Sequence, residues 1–253
     1  MKTNVSVIII AKNAADKIGD AIDSAKGLTS DVVVLEGGSV DQTVMVSKSH
    51  NARVVKQTGK NFSEWRNQGM EISKAPWVLY LDHDERLIPE LKTEVEKQIE
   101  GSKFVAYAIP RRNFILGREF KHGGEWPDYQ QRLFFRERFK RWEKELHEEP
   151  RFEGKLGYLK SPLIHLKHDS ISEMVEKTNN WSEVEAKLLF GAKHPRMSWW
   201  RFIRIMLMEL WDRLILKKGI LDGGEGVVYS LYQMWSRYLT YAKLWEIQQG
   251  GGR

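Results

Sequence analysis

Asp82 and Asp84 stand one residue apart, directly after the apolar run Trp77-Val78-Leu79-Tyr80-Leu81, and Glu85 follows them. Two carboxylates at a strand end can aim oxygens at one hard cation, which takes oxygen ligands and leaves positions open for phosphate. The same residues would also serve as a turn or N-cap before a helix starting near Pro89. Two further strand ends carry polar groups: Lys12 and Asn13 after the run 5–10, and Glu36-Gly37-Gly38-Ser39 after the run 32–35.

The elements that must position these groups are legible from periodicity. Short apolar or β-branched runs at 5–10, 32–35, 52–55, 77–81 and 104–109 alternate with helix-like segments at 14–27, 41–50, 63–75 and 89–100. Continuously apolar strands separated by helices predict an α/β fold with a mostly parallel sheet covered on both faces. Ligands then belong beyond the carboxyl ends of the strands. From 111 to 168 the pattern loosens into Arg-, Gly- and aromatic-rich sequence with short strands near 130–135 and 163–166, and helices are expected at about 171–191, 198–217 and 226–247. The expected division is one domain over 1–169, made of the parallel α/β half (1–110) and a looser half (111–169), followed by a helical extension over 170–253.

Composition narrows the function classes. The 253 residues are 42% hydrophobic and 29% charged, ordinary globular values that exclude a disordered or collagen-like chain. Cysteine is absent, which removes disulfides, thiolate metal sites and a cysteine nucleophile. The N-terminal apolar run is short and leads straight into Lys12-Asn13, so it reads as a strand rather than a signal peptide, and no stretch approaches 18 apolar residues. A cytoplasmic protein is expected. A net charge of +6 admits an anionic partner.

The ordered motifs resemble glycosyltransferase family 2 enzymes with the GT-A fold. They are Val5-Ser-Val-Ile-Ile-Ile-Ala-Lys-Asn13, then Val32-Val-Val-Leu-Glu-Gly-Gly-Ser39 with Asp41 and Thr43, then Arg66-Asn67, then Leu81-Asp-His-Asp-Glu85. In the second half, Trp126-Pro127, Gln131-Arg132-Leu133-Phe134, His147-Glu148 and Pro162-Leu-Ile-His165 resemble the subgroup of bacterial lipopolysaccharide-core β-glucosyltransferases. The resemblance implies an inverting transfer of a hexose, glucose foremost, from a UDP-sugar, by a catalytic domain in which 1–110 is the nucleotide-sugar half and 111–169 the acceptor and metal half. It places Glu36 where family members carry an Asp that binds the uracil ring, with Ala11, Asn13 and Asp41 lining the same pocket. Arg66 would face the nucleotide or its diphosphate, a task suited to a planar charged fork. Asp82 would hold the ribose side and Asp84 a divalent metal, Mn2+ or Mg2+, with His165, or alternatively His168, completing the metal shell. Glu148 matches the position of the general base by order in the chain, with Asp128 and Glu149 as competitors. Arg132 would meet the diphosphate or an anionic acceptor, and Trp126 offers a face for a sugar ring.

The tail changes character. Six of the ten tryptophans lie after residue 180, and residues 193–218 hold seven Lys or Arg against two acids. On a helix over 199–216, Trp199, Trp200, Ile203, Met206, Leu207, Leu210, Trp211 and Leu214 share an uncharged arc, opposite Arg201, Arg204, Glu209, Asp212 and Arg213. A cationic helix with a Trp-rich face suits an anionic membrane interface through 199–247; the same face would also serve to pack on the catalytic domain or a partner chain. The expected activity is hexosyl transfer to a saccharide or lipid-linked acceptor, or to a lipopolysaccharide core, by a protein peripheral to the inner face of the plasma membrane. The oligomeric state is left open. Two alternatives come from other classes. A nucleotidyltransferase would need a Gly-rich basic loop that Ala11-Lys12-Asn13-Ala14-Ala15 lacks. In a non-catalytic basic module for membrane or nucleic acid, the acids at 82–85 would repel phosphate, so nucleic acid is not an expected partner.

Overall fold

The computed structural model describes residues 4–144 and 148–250. The chain forms two compact units: 1–111 with 128–165, and 112–127 with 166–253. This partition differs from the expected one at 169/170 because the excursion 112–127 keeps company with the helices: Ile115 and Phe120 pack with Met174 and Tyr229 in one buried cluster.

The first unit opens with a regular alternation: β1 (Val5–Ala11), α1 (Ile18–Ala25), β2 (Val32–Glu36), α2 (Thr43–Ser49), β3 (Arg53–Lys56), α3 (Phe62–Ile72) and β4 (Trp77–Asp82). It continues through β5 (Glu85–Leu87), α4 (Pro89–Ile99) and the first part of β6 (Ala106–Ile115), which carries the chain into the second unit. The chain returns with β8 (Asp128–Phe135), a two-stranded ribbon of β9 (Phe139–Glu143) and β10 (Glu149–Phe152), then β11 (Leu156–Tyr158) and β12 (Leu163–His168). The sheet order is β3-β2-β1-β4-β8-β6-β12-β5. The block β3-β2-β1-β4 is parallel throughout, whereas β8 runs antiparallel to β4 and β6. Parallel register sets Ala11 opposite Glu36 and Ile10 opposite Asp82, so three polar strand ends meet on one edge.

Both faces of the sheet are covered, as the unbroken apolar runs require. Val5, Val7 and Ile9 pack with Ile18 and Ile22 of α1 and with Leu91 and Val95 of α4. The alternate residue Ile8 joins Val33, Leu35, Val78 and Tyr80 of the strands, Met70 of α3, Phe134 of β8 and Trp142 of the ribbon. Local signals start the helices: the Asn61 side chain accepts from Glu64 N while Glu64 Oε2 accepts from Lys60 N, a reciprocal cap on α3. Pro89 takes the first turn of α4, where its missing N–H costs nothing.

The second unit holds the end of β6, β7 (Arg118–Glu119), and helices α5 (Ile171–Gly191), α6 (Trp199–Trp211) and α7 (Gly223–Gln248), with a π-helical turn at Asp212–Leu216. Its buried polar centre is Glu125, which accepts from Tyr229 Oη at 2.9 Å, Lys167 Nζ at 2.8 Å and Asn113 Nδ2 at 3.1 Å. Burial pushes the Tyr229 hydroxyl up to about 12. Helix α6 has no buried residue. Phe202 and Ile205 pack it against the cluster of Ala186, Met197 and Leu244, so the uncharged arc from the sequence turns outward.

Gly69 sets how closely α3 lies on the sheet. A Cβ there would sit 2.7 Å from Ile8 Cγ2, and the β-branched Ile8 side chain is too stiff at χ1 to yield. Gly69→Ala is therefore expected to destabilise the protein, because overpacking of about 1–3 kcal/mol exceeds the ~1 kcal/mol gain in helix propensity. Urea unfolding checks this; an unchanged or raised midpoint would show that α3 can lift off without cost.

Candidate active site

The first two strand ends are stitched together before any ligand arrives. Asn13 sits in the left-handed region (φ 51°); its N–H donates to Ser39 Oγ at 3.0 Å and its Oδ1 accepts from Val40 N at 2.9 Å. Asp41 accepts from Thr43 N and Oγ1 and from Ala15 N, and the Thr43 hydroxyl is the main cause holding its carboxyl below the usual range. Glu36, nearly buried, accepts from Ser39 N. Ala11 is buried beside Glu36. The four residues expected around the nucleotide thus form one ordered wall, with Asn13 and Asp41 serving the loops as well.

The third strand end is organised by a buried carboxylate that the sequence reading left without a role. Glu85, fully buried, accepts from Asp82 N at 2.9 Å through Oε2, and from Arg132 Nη2 at 2.7 Å and Arg111 Nη1 at 3.3 Å through Oε1. Arg132 also donates through Nη1 and Nη2 to the Asp82 carboxylate, and Arg66 lies 3.8 Å from it. Burial alone would raise the Asp82 carboxyl, but the Arg132 and Arg66 charges outweigh it and hold it well below the usual range. The same carboxylates raise the Arg132 guanidinium against the lowering effect of burial. Arg132, expected at the diphosphate, is thus enclosed in β8 between two acids. Arg111 donates through Nε and Nη2 to Asp128 Oδ2 at 2.9 and 2.6 Å, while Gln130 Nε2 reaches Asp128 Oδ1 at 2.7 Å.

Asp84 faces away from this network, toward His165 Nε2 at 3.7 Å, and both side chains are largely buried. Burial raises the Asp84 carboxyl, and the His165 hydrogen bond and charge more than offset it. Antiparallel pairing of β12 with β5 places His165 opposite Glu85, which brings its ring to the Asp82-His83-Asp84 turn. Among the described residues no group of three His, Cys, Asp or Glu side chains converges as a ready metal cage. The pair fits a cation only as a partial shell, one oxygen and one nitrogen donor. His168 lies in the second unit, 4.0 Å from Glu173. Trp126 also belongs to that unit and is exposed.

Beside this turn lies a cavity of about 310 Å³ lined by Arg66, Asp82, Arg111, Arg132, Trp142 and Glu148, among others. Arg66 stacks on Trp142 at 4.8 Å and on Tyr80 at 5.7 Å. Burial and the Arg132 charge lower its guanidinium, and Asp82 and Glu148 raise it in part. Four buried atoms of lining residues, Arg66 Nε, Gln131 Oε1, Arg132 Nε and Trp142 Nε1, find no hydrogen-bond partner among the described residues. Buried polar atoms are normally satisfied, so these mark where a polar ligand would bond. Glu148 makes no hydrogen bond or short ion pair among the described residues, unlike Glu149, which is paired with Lys144 and Arg151. His147 lies outside the described residues. The ribbon bearing these groups is fastened to α3: Asn67 Nδ2 donates to Trp142 O at 3.0 Å, its Oδ1 accepts from Trp142 N at 2.7 Å, and Ser63 Oγ donates to Glu143 O at 2.9 Å.

Glu85, Arg111, Gln131 and Trp142 are the residues that sequence reasoning missed. Gln130 and Arg132 share one face of β8 by two-residue alternation, and Arg111 sits opposite Asp128 in register. The pairing of Arg111 with Asp128 is visible only in that register, and nothing in the sequence singles out Trp142.

An α/β sheet with a parallel half, helices on both faces and an acidic turn at the end of β4 is the GT-A architecture. The pattern of Glycosyl transferase family 2 matches residues 6–154, and the chain belongs to that family. A glycosyltransferase of uncharacterised specificity from Rickettsia bellii is 26% identical over 265 residues, covering 96% of this chain and 86% of that one. The succinoglycan biosynthesis protein ExoU of Rhizobium meliloti is 32% identical over 112 residues, 41% of this chain and 32% of its own. Among solved structures, the glucosyl-3-phosphoglycerate synthase of Mycobacterium tuberculosis with Mn2+, UDP-glucose and phosphoglyceric acid aligns with a TM-score of 0.39 at 19% identity, over 54% of this chain and 57% of that one. Family membership makes the protein a glycosyltransferase and sets aside the nucleotidyltransferase and the non-catalytic module.

Removing the Glu85 charge should loosen the whole turn. Glu85→Gln leaves two buried guanidinium groups short of a counter-charge, and the expected loss is about 3–5 kcal/mol of stability in urea unfolding. A loss below about 1 kcal/mol would show that Asp82 and Asp128 suffice as partners. Because the Asp82 carboxyl is depressed in the folded state, its contribution is complete above the ordinary carboxylate value of about 3.9 and is lost as pH falls below it. Asp82→Asn should therefore flatten the acid limb of the stability curve; an unchanged acid limb would assign the acid sensitivity to other carboxylates.

Proposed function

We propose that the protein transfers a hexose, glucose foremost, from a UDP-sugar with inversion, to a lipid-linked or lipopolysaccharide-core acceptor at the inner face of the plasma membrane. The observation that carries this reading is Glu148: a carboxylate with no hydrogen bond or short ion pair among the described residues, lining a cavity beside the buried Arg66 and next to the acidic turn. In an inverting displacement the acceptor oxygen forms its bond to the anomeric carbon as the bond to the diphosphate oxygen breaks. The acceptor proton must go to a base within reach. Glu148 can take it. Asp128 is held by Arg111 and Gln130, and Glu149 by Lys144 and Arg151, so each is already committed as an ionised partner.

On the donor side, Glu36, Ala11, Asn13 and Asp41 are the wall for the base, and Asp82 keeps a partly exposed carboxylate toward the ribose. Arg66 presents its unpaired Nε to the diphosphate. Asp84 and His165 would hold Mn2+ or Mg2+, the remaining ligands coming from diphosphate and water; bound there, the cation neutralises charge on the leaving group. Arg132 acts by holding Asp82, not by touching the donor.

Release of nucleotide from a panel of UDP- and GDP-sugars tests the donor. Glu148→Gln keeps shape but cannot accept a proton, so kcat should fall about 100- to 10,000-fold with UDP affinity nearly unchanged. If Asp128→Asn gives that pattern and Glu148→Gln does not, the base is Asp128. Asp84→Asn should abolish the Mn2+-dependent part of UDP binding in calorimetry; equal UDP affinity with and without chelator in the unaltered protein would remove the metal from the reading.

A further inference from the structure

We propose that α6 and the turn that follows it lie in the interface of an anionic lipid membrane, in the plane of the bilayer, with the apolar arc inserted and the flanking cations among the headgroups. This deepens the reading above, and it rests on that reading in taking the acceptor to be membrane-borne. No helix of the described residues is long and apolar enough to cross a bilayer, so the contact proposed is peripheral.

Three observations converge within the second unit. First, α6 buries nothing completely: Phe202 and Ile205 face the other helices, while Trp199 is 76% exposed, Leu207 62% and Trp211 59%. Second, the apolar surface continues past the helix into a turn. A groove of about 610 Å³ lined only by apolar side chains, Leu207 and Trp211 among them, runs to Ile215. Leu216 (64% exposed) and Leu221 (60%) then project on either side of Lys217 and Lys218. Lys218 adopts a left-handed conformation (φ 56°), which turns the chain between the two exposed leucines. Third, the charges around this surface have one sign. Glu209 is taken up by Arg213 and Arg237, and Asp212 by Lys217. Arg196, Arg201, Arg204 and Lys218 have no carboxylate partner among the described residues, and Arg201 and Arg204 instead lie over the Trp200 ring at 5.1 and 5.3 Å.

Charge decides between occupants. A second copy docked by twofold symmetry would bring the same unpaired cations toward each other, which opposes association. An anionic lipid surface supplies the missing counter-charge along the whole rim and takes the apolar arc into its acyl boundary. Tryptophan, with an apolar body and one N–H, suits that depth.

The test is flotation of the full chain with vesicles of phosphatidylcholine alone or mixed with phosphatidylglycerol, at low and high salt. Binding is expected only with phosphatidylglycerol, weakened by salt through screening and accompanied by a blue shift of tryptophan emission. The variant L207S/W211S/L216S and the charge variant R201E/R204E/K218E should each lower the partition coefficient about tenfold or more. Should the first variant fail to fold by circular dichroism, the second decides alone. Equal flotation with neutral vesicles, or retention of binding by the folded variants, overturns the proposal. So does a wild-type dimer in size exclusion that becomes a monomer in the serine variant, which would make the face an interface between copies. The thermal shift produced by UDP with Mn2+ reads the transferase separately. A shift retained in both variants without flotation of wild type rejects the membrane contact alone; no shift in wild type rejects the donor reading, whatever flotation shows.

Discussion

The first unit depends on one buried guanidinium. Arg132 lies within β8 with its charge shared between Asp82 at the end of β4 and Glu85 at the start of β5. Burying two ionised groups, Arg132 and Glu85, is costly unless each is paired and hydrogen-bonded, and here the partly exposed Asp82 completes the pairing. The consequence is geometric. The parallel strand β4 and the antiparallel strand β8 are joined at the point where polar side chains would otherwise repel or solvate. The turn 82–85 is thereby fixed in both backbone and charge, which leaves Asp84 directed at His165 and Asp128 directed at Arg111.

This arrangement separates residues that look alike in a sequence. Five carboxylates lie near the cavity or its rim, and their environments divide them. Asp82, Asp128 and Glu149 are acceptors in ion pairs, and Glu85 is a fully buried counter-charge; Glu148 alone has no such commitment among the described residues. Differences of environment, not of residue type, assign acid–base roles.

Much of the first unit was legible because its physics is local. Unbroken apolar runs gave β1, β2 and β4 within a residue, and the helices between them came close to their observed spans, since strand burial on two faces leaves a simple signature. β5, β9, β10 and β11 did not announce themselves; they are short and half-polar, and tertiary pairing makes them strands. The acidic turn, His165 and Glu148 could be named from order along the chain, whereas Glu85, Arg111 and Trp142 emerge only when β8 and the ribbon are laid beside β4. The tail shows the converse. Its amphipathic arc was visible, but only the packing of Phe202 and Ile205 reveals which side of α6 faces outward.

The ribbon of β9 and β10 meets α3 through the paired amide of Asn67 and the hydroxyl of Ser63, both bonded to backbone atoms and not to ribbon side chains. Such a hinge-pin is indifferent to what the ribbon carries. Residues between the pin and Phe152 can be exchanged, lengthened or recharged while the docking of the ribbon on α3 stays as it is. A lineage that needs a differently lined cavity can therefore explore this one strand pair as a replaceable cassette, with Glu148 riding at its end.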